Sequence, residues 1–99
     1  MRENEPIEIE LEERGASAGR YVYRRDGLEA ELTFTREVPH EIRVNHTFVP
    51  QEWRNKGIAA QLVLRVVEDA RRQGFKIRPI CPYVVVAFRR HPEWADVLA

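Results

Sequence analysis

Arg54, Gly57 and Ala59 have a spacing that suits the binding of an anion. They lie in the stretch RNKGIA, residues 54–59, between a run of β-forming residues and a run with helical periodicity. The first turn of a helix leaves about four backbone N–H groups without partners in the helix, and the helix dipole makes this end positive. Gly57 and Ala59 leave room for close approach to the backbone, and Arg54 and Lys56 add positive charge. This pattern predicts a pyrophosphate site; the alternative is a loop in which Gly57 only relieves strain.

The elements that position this stretch begin with a set of strands. Alternating apolar residues predict four of them, Ile7–Glu13, Arg20–Arg25, Leu28–Glu37 and Glu41–Val49. Asp26 and Gly27 separate the second strand from the third and predict a tight hairpin turn. In the fourth strand, the alternation predicts one shared face for Ile42, Val44, His46 and Phe48.

The period then changes to that of a helix. Apolar residues recur at helical spacing from Ile58 and end at Gly74, a natural C-cap. The segment Phe75–Cys81 is typical of a short strand, and a short helix that ends at Pro92 is favoured over a strand for the residues after it. A strand–helix–strand crossover makes its two strands parallel neighbours. The fold class is therefore α/β (α+β), with a mixed, mainly antiparallel sheet, one such crossover and a short C-terminal helix.

Length and composition narrow the function further. The 99 residues form one domain, 1–99, in which the acidic residues 1–15 are expected to fray. Sixteen basic and sixteen acidic residues cancel, so no net field attracts nucleic acid or an anionic membrane. No apolar run is long enough to span a bilayer. The single cysteine, Cys81, fits a reducing compartment, and we expect a cytoplasmic protein.

Two motifs together resemble a known superfamily. The stretch NHTFVPQEWRNKGIAAQLV, residues 45–63, is similar to the Gln/Arg-x-x-Gly-x-Gly/Ala signature of the GNAT N-acetyltransferases. Followed by RPICPYVVVAFRRHPEW, residues 78–94, it resembles a minimal single-domain branch labelled YjdJ-type. That branch typically has Glu at the position of Phe48 and Gly at the position of Asn55. The similarity covers residues 30–98.

The resemblance implies an acetyl-CoA-binding fold without a metal. It implies that the last strand before the helix splays from its parallel neighbour and admits the pantetheine arm. The implied cofactor-binding residues are Phe48, Val49, Arg54, Asn55, Lys56, Gly57, Ile58 and Ala59.

Three side chains are candidates for the chemistry of acetyl transfer. His46 is a candidate general base because its ordinary pKa lies near neutrality, or else a structural strand histidine. Cys81 is a candidate nucleophile at a helix N-terminus, or else a small buried hydrophobe. Tyr83 is a candidate acid for the leaving thiolate, or else a packing residue.

The resemblance thus predicts an N-acetyltransferase that moves an acetyl group from acetyl-CoA to an amine of a small molecule or a protein. The alternative is a non-catalytic acyl-CoA-binding or interaction module with the same fold. We expect a monomer or weak homodimer whose partners are acetyl-CoA and an amine acceptor, without nucleic acid or membrane.

Overall fold

The computed structural model describes residues 7–99, and the expectation for residues 1–6 lies outside this range. Strands and helices follow one another in the predicted order. The elements are β1 (Glu10–Arg14), β2 (Ala18–Arg25), β3 (Leu28–Thr35), β4 (Glu41–Phe48), α1 (Ile58–Gln73), β5 (Lys76–Pro79) and α2 (Pro82–Arg90). Two short 3-10 turns, Gln51–Trp53 and Pro92–Val97, complete the described chain.

The strands form one sheet in the order β1-β2-β3-β4-β5. The first three pairings are antiparallel, and β4 with β5 is parallel, as the crossover through α1 requires. Asp26 and Gly27 both have positive φ, at 53° and 77°, which confirms the predicted hairpin turn. The mixed α+β fold with one crossover and a short C-terminal helix is therefore confirmed. Within residues 7–99, neither helix has the length and hydrophobicity that a bilayer span requires.

Several element boundaries differ from the prediction by one to three residues, and two of these differences have a cause in the structure. β1 begins at Glu10 instead of Ile7, because the preceding residues bind α1: the Ile7 N–H donates to Gln61, and Arg65 donates to the Ile9 carbonyl. β5 ends at Pro79 instead of Cys81, since the chain turns away there into α2.

The core lies between the sheet and α1. Tyr21, Leu32 and Phe34 face the helix and are at most 2% exposed. Gly19 is required in this layer, because a Cβ at its position would lie 2.7 Å from Cζ of Phe34 and 2.9 Å from the Glu12 carbonyl oxygen. The adjacent strands can therefore close over the Phe34 ring only at a residue without a side chain.

A buried carboxylate anchors α1 to the sheet. Asp69, which is 1% exposed, accepts a 2.8 Å hydrogen bond from the Tyr21 hydroxyl and further bonds from Arg65 and Arg72. Burial first, and then the Asp69 carboxylate, raise the pKa of Tyr21 above its ordinary range. A buried charge is tolerated only with such partners.

The face of the sheet opposite α1 carries charge. Here Val22 is only 1% exposed, although it alternates with residues that face the helix. Its four same-face neighbours form ion pairs over it, Arg20 with Glu31 at 2.7 Å and Arg24 with Glu10 at 3.2 Å. Arg20 and Arg24 flank Val22 on this face, and the burial of Val22 is explained if their apolar stems cover it while their guanidinium groups pair with the carboxylates.

Candidate functional site

β4 and β5 diverge at the β5 edge of the sheet. Their pairing runs from Glu41 and Lys76 to Val44 and Pro79. The N–H groups of Ile80 and Cys81 then both donate to the Val44 carbonyl, at 3.0 Å each. β4 continues to Phe48 but pairs there only with β3 among residues 7–99. The divergence that the resemblance implies is thus present, and it leaves one side of the β4 backbone open.

A bulge in β4 corrects the predicted distribution of side chains. The register with β3 shifts between Thr33 and Phe34, which pair with His46 and Val44, so Asn45 is an extra residue. Beyond it the faces exchange, and Thr47 shares the helix side with Leu32. The prediction that His46 and Phe48 share a face with Ile42 and Val44 is wrong. Both side chains are exposed and lie on the side opposite α1.

The N-terminus of α1 presents unpaired donors. Gly57 is the N-cap with φ 77°, in the left-handed region that favours glycine. The Gln61 N–H donates to its carbonyl at 3.1 Å, whereas within residues 7–99 the N–H groups of Ile58, Ala59 and Ala60 have no protein acceptor. The first turn contains no acidic residue that would compete for these donors.

A cleft of about 420 Å³ lies at this end of α1. Seven of the eight predicted cofactor-binding residues line it, and Lys56 does not. The lining residues are Thr47, Phe48, Val49, Trp53, Arg54, Asn55, Gly57, Ile58, Ala59, Ala60 and Tyr83. The cleft therefore connects the open end of β4 with the free end of α1.

The loop between β4 and α1 shapes the cleft. Trp53 is 6% exposed and forms one wall through contact with Tyr23, at 5.2 Å between ring centroids. Asn55 has φ 63°, a conformation that Asn tolerates better than most residues. Arg54 donates to the Val49 carbonyl at 3.4 Å, so a ligand amide that pairs with this carbonyl must displace or share it.

Cys81 lies directly behind the cleft. It is 7% exposed, it does not line the cleft, and its Sγ lies 3.5 Å from Oγ1 of Thr47. Burial raises the pKa of the Cys81 thiol, but the Thr47 hydroxyl and the backbone N–H groups of Val84 and Tyr83 outweigh it, so the net pKa is lowered. Neither N–H forms a capping hydrogen bond to Sγ of Cys81, so the hydrogen-bond partner of the sulfur within residues 7–99 is the hydroxyl of Thr47.

Of the three predicted catalytic residues, Tyr83 lines the cleft, whereas His46 and Cys81 do not. Tyr83 lines the wall formed by α2, and its side chain is 43% exposed. Loss of water around the hydroxyl raises its pKa above the ordinary value, while Arg90 opposes this shift. The phenol is therefore neutral and able to donate a hydrogen bond near pH 7.

Sequence reasoning missed Thr47, Trp53 and Ala60. Trp53 and Ala60 adjoin the predicted loop, so proximity was the available signal. Thr47 lies between the predicted residues His46 and Phe48, but no local signal indicates its contact with Cys81, which spans 34 residues and depends on the bulge. Among residues 7–99, no group of three or more His, Cys, Asp or Glu side chains could hold a metal ion.

Comparison with known proteins agrees with this geometry. The profile of the GCN5-related N-acetyltransferase family matches residues 8–97, nearly the whole chain. The chain belongs to the GCN5-related N-acetyltransferase family. Membership indicates an acyltransferase with acetyl-CoA as co-substrate. A search of curated proteins finds no significant match.

Proposed function

We propose that this protein is an N-acetyltransferase that transfers the acetyl group of acetyl-CoA to an amine of a small molecule or a protein. The observation that carries the proposal is the cleft in which the open side of β4 meets the unpaired N–H groups of α1. An extended ligand with amides at one end and a diphosphate at the other fits both features.

The anionic part of the co-substrate would bind at the start of α1. The N–H groups of Ile58, Ala59 and Ala60 point out of the helix, and the dipole adds a positive potential. Arg54, which lines the cleft, and Lys56, which precedes the N-cap Gly57 and does not line it, supply formal positive charge near this end of α1. A cradle of this kind fits a pyrophosphate without a metal ion.

The pantetheine arm would bind along the open side of β4. Backbone groups near Phe48 and Val49 are candidates to pair with its amides, as a further strand would. This direction leads the thioester toward the point at which β4 and β5 separate, beside Thr47 and Cys81.

Direct transfer requires one base and one acid. A neutral amine attacks the thioester carbon, the N–C bond forms, and the C–S bond to coenzyme A breaks. The nitrogen loses a proton to a base, and the leaving thiolate gains one. Tyr83 is the candidate acid because it lines the cleft with a neutral hydroxyl. His46 is the candidate base for an amine that enters from the face opposite α1.

A covalent route through Cys81 is the second form of the same function. The thiolate of Cys81 would attack the thioester and release the coenzyme A thiolate. The amine would then attack acetyl-Cys81, the C–S bond to Cys81 would break, and the nitrogen would lose a proton to a base or to the departing Cys81 thiolate. The lowered pKa of Cys81 supports this route, whereas its position behind Thr47 instead of on the cleft wall supports direct transfer.

Two observations favour the alternative of a non-catalytic acyl-CoA-binding module. His46 lies on the face opposite the cleft side of β4, and Phe48 stands where the resembling branch has Glu. Such a module would bind acetyl-CoA and coenzyme A without turnover.

We further propose a cytoplasmic monomer or weak homodimer that binds neither nucleic acid nor membrane, as the zero net charge and the single cysteine suggest.

Two experiments test these proposals. Thermal shift with acetyl-CoA and coenzyme A tests binding, because a ligand of the folded state raises the melting temperature. No shift with either compound would contradict both coenzyme-binding functions. A thiol-release assay over a panel of amines then separates enzyme from module, since only the enzyme releases coenzyme A in proportion to the acceptor.

Intact-mass spectrometry distinguishes the two routes. Incubation with acetyl-CoA is expected to add an acetyl group that hydroxylamine removes if Cys81 forms a thioester. The Cys81→Ala variant is the control. An adduct that persists in this variant, or that resists hydroxylamine, would exclude the covalent route.

A further inference from the structure

We propose that Thr47 is the positioning residue for Cys81, and that its hydroxyl holds the sulfur at the back of the cleft and stabilises the thiolate. This inference rests on the proposed function, since it concerns the same site. Neither the resemblance nor the family assignment gives Thr47 a role.

The backbone brings Thr47 to this position. The extra residue Asn45 turns Thr47 toward the helix side of the sheet, where it pairs with the fully buried Leu32. Its Oγ1 then lies 3.5 Å from Sγ of Cys81. Without the bulge, the alternation would place His46 on this side.

Thr47 joins two parts of the site that are otherwise separate. It lines the cleft, whereas Cys81 does not, and it is in hydrogen-bond contact with the Cys81 sulfur. The branched Cβ of threonine restricts χ1, so the hydroxyl oxygen is held in place while its O–H bond can still rotate. A residue with these contacts can orient the thiol toward a ligand in the cleft.

The hydroxyl suits both protonation states of the sulfur. It can accept a hydrogen bond from the neutral S–H, and it can rotate to donate to the thiolate. The N-terminus of α2 also stabilises the thiolate, because Cys81 is the N-cap and lies at the positive end of the helix dipole. The titratable side chains on the surrounding elements are Glu41, Arg43 and His46 on β4, Lys76 and Arg78 on β5, and Tyr83, Arg89 and Arg90 on α2. Within residues 7–99, none of these side chains makes a hydrogen bond to Sγ.

The experiment uses the fact that Cys81 is the only cysteine of the chain. The rate of alkylation by iodoacetamide, followed by intact mass between pH 6 and 10, reports the thiolate fraction of this residue alone. The variants are Thr47→Val, which keeps the shape, and Thr47→Ser, which keeps the hydroxyl. Thr33→Val is the matched control, because Thr33 pairs with His46 on the opposite face of the sheet. Thermal melts establish that each variant is folded.

We expect the midpoint of the rate profile of Thr47→Val to move upward by about one pH unit and alkylation at pH 7 to be about tenfold slower. Thr47→Ser should restore most of the wild-type profile, and Thr33→Val should leave it unchanged. A Thr47→Val profile that superposes on the wild type, or a Thr47→Ser profile as displaced as that of Thr47→Val, would overturn the proposal. The assay contains no acetyl-CoA, so a failure of the proposed function would appear separately in the binding and thiol-release experiments.

Discussion

Substitution of Gly57 by alanine tests the proposed anion site most directly. Gly57 is the N-cap of α1 and has φ 77°. Alanine in this left-handed conformation is strained, and it adds a methyl group to the residue that immediately precedes the unpaired N–H groups of Ile58, Ala59 and Ala60. Two separate effects are therefore expected, a loss of stability and a loss of affinity for coenzyme A.

A second glycine of the same helix separates these effects. Gly74, the C-cap, has φ 81°, and a Cβ at its position has no atom within 4 Å. It lies at the other end of a helix of 16 residues, about 24 Å away at 1.5 Å per residue. Both alanine variants should lose about 1–2 kcal/mol of stability. For a domain of this size, that loss lowers the melting temperature by roughly 4–16 °C.

Affinity should distinguish the two variants. Hydrogen bonds to a charged ligand contribute about 1.5–3 kcal/mol each, so the loss of one N–H contact weakens binding by roughly 10- to 100-fold. Isothermal titration calorimetry with coenzyme A should show this loss for Gly57→Ala and wild-type affinity for Gly74→Ala. Equal affinity of both variants would refute the assignment of the phosphates to the start of α1.

Three further predictions concern the support of the site. Tyr21→Phe removes a buried hydrogen bond to Asp69 and should lower the free energy of unfolding in urea by about 1–3 kcal/mol. The hydroxyl of Tyr23 makes no hydrogen bond within residues 7–99, so Tyr23→Phe should lower it by less than about 0.5 kcal/mol, and equal losses would contradict the reasoning. Because folding raises the pKa of Tyr21, this residue stabilises the folded state fully below its ordinary pKa of about 10, and the stabilisation is lost as pH rises above that value. The free energy of unfolding of the wild type should therefore fall more steeply above about pH 10 than that of Tyr21→Phe, and parallel pH curves would contradict this. Gly19→Ala should lower stability by about 1–3 kcal/mol because of contact with Phe34, and a melting temperature equal to that of the wild type would show that the strands can shift freely.

The sequence was sufficient for features that depend on local chemistry. The turn at Asp26 and Gly27 needs residues that accept positive φ, and the amphipathic run ending at Gly74 needs a helix. The parallel pairing of β4 and β5 followed from the crossover between them. Most of the cleft was predictable for the same reason, since its residues are nearly contiguous in the loop and first turn of α1.

The chemistry at the end of β4 was not predictable from alternation. A strict alternation with a period of two would place His46 on the same face of the sheet as Val44. In the register with β3, Asn45 is an extra residue, so Thr47 occupies that face instead. Nothing in the local sequence marks this insertion, because the packing of the partner strand decides it. The approach of Thr47 to Cys81 likewise exists only after the sheet has formed.

The ion pairs around Val22 show how one outward-facing residue of this sheet is buried without a layer of helices on that face. A helix laid across the sheet would take about a dozen residues before any linker is counted. Here the stems of two arginines shelter the valine, so shielding comes from residues that the strands already contain. Substitutions that shorten the side chain of Arg20 or Arg24 would therefore expose Val22 to water, in addition to changing the charge of this surface.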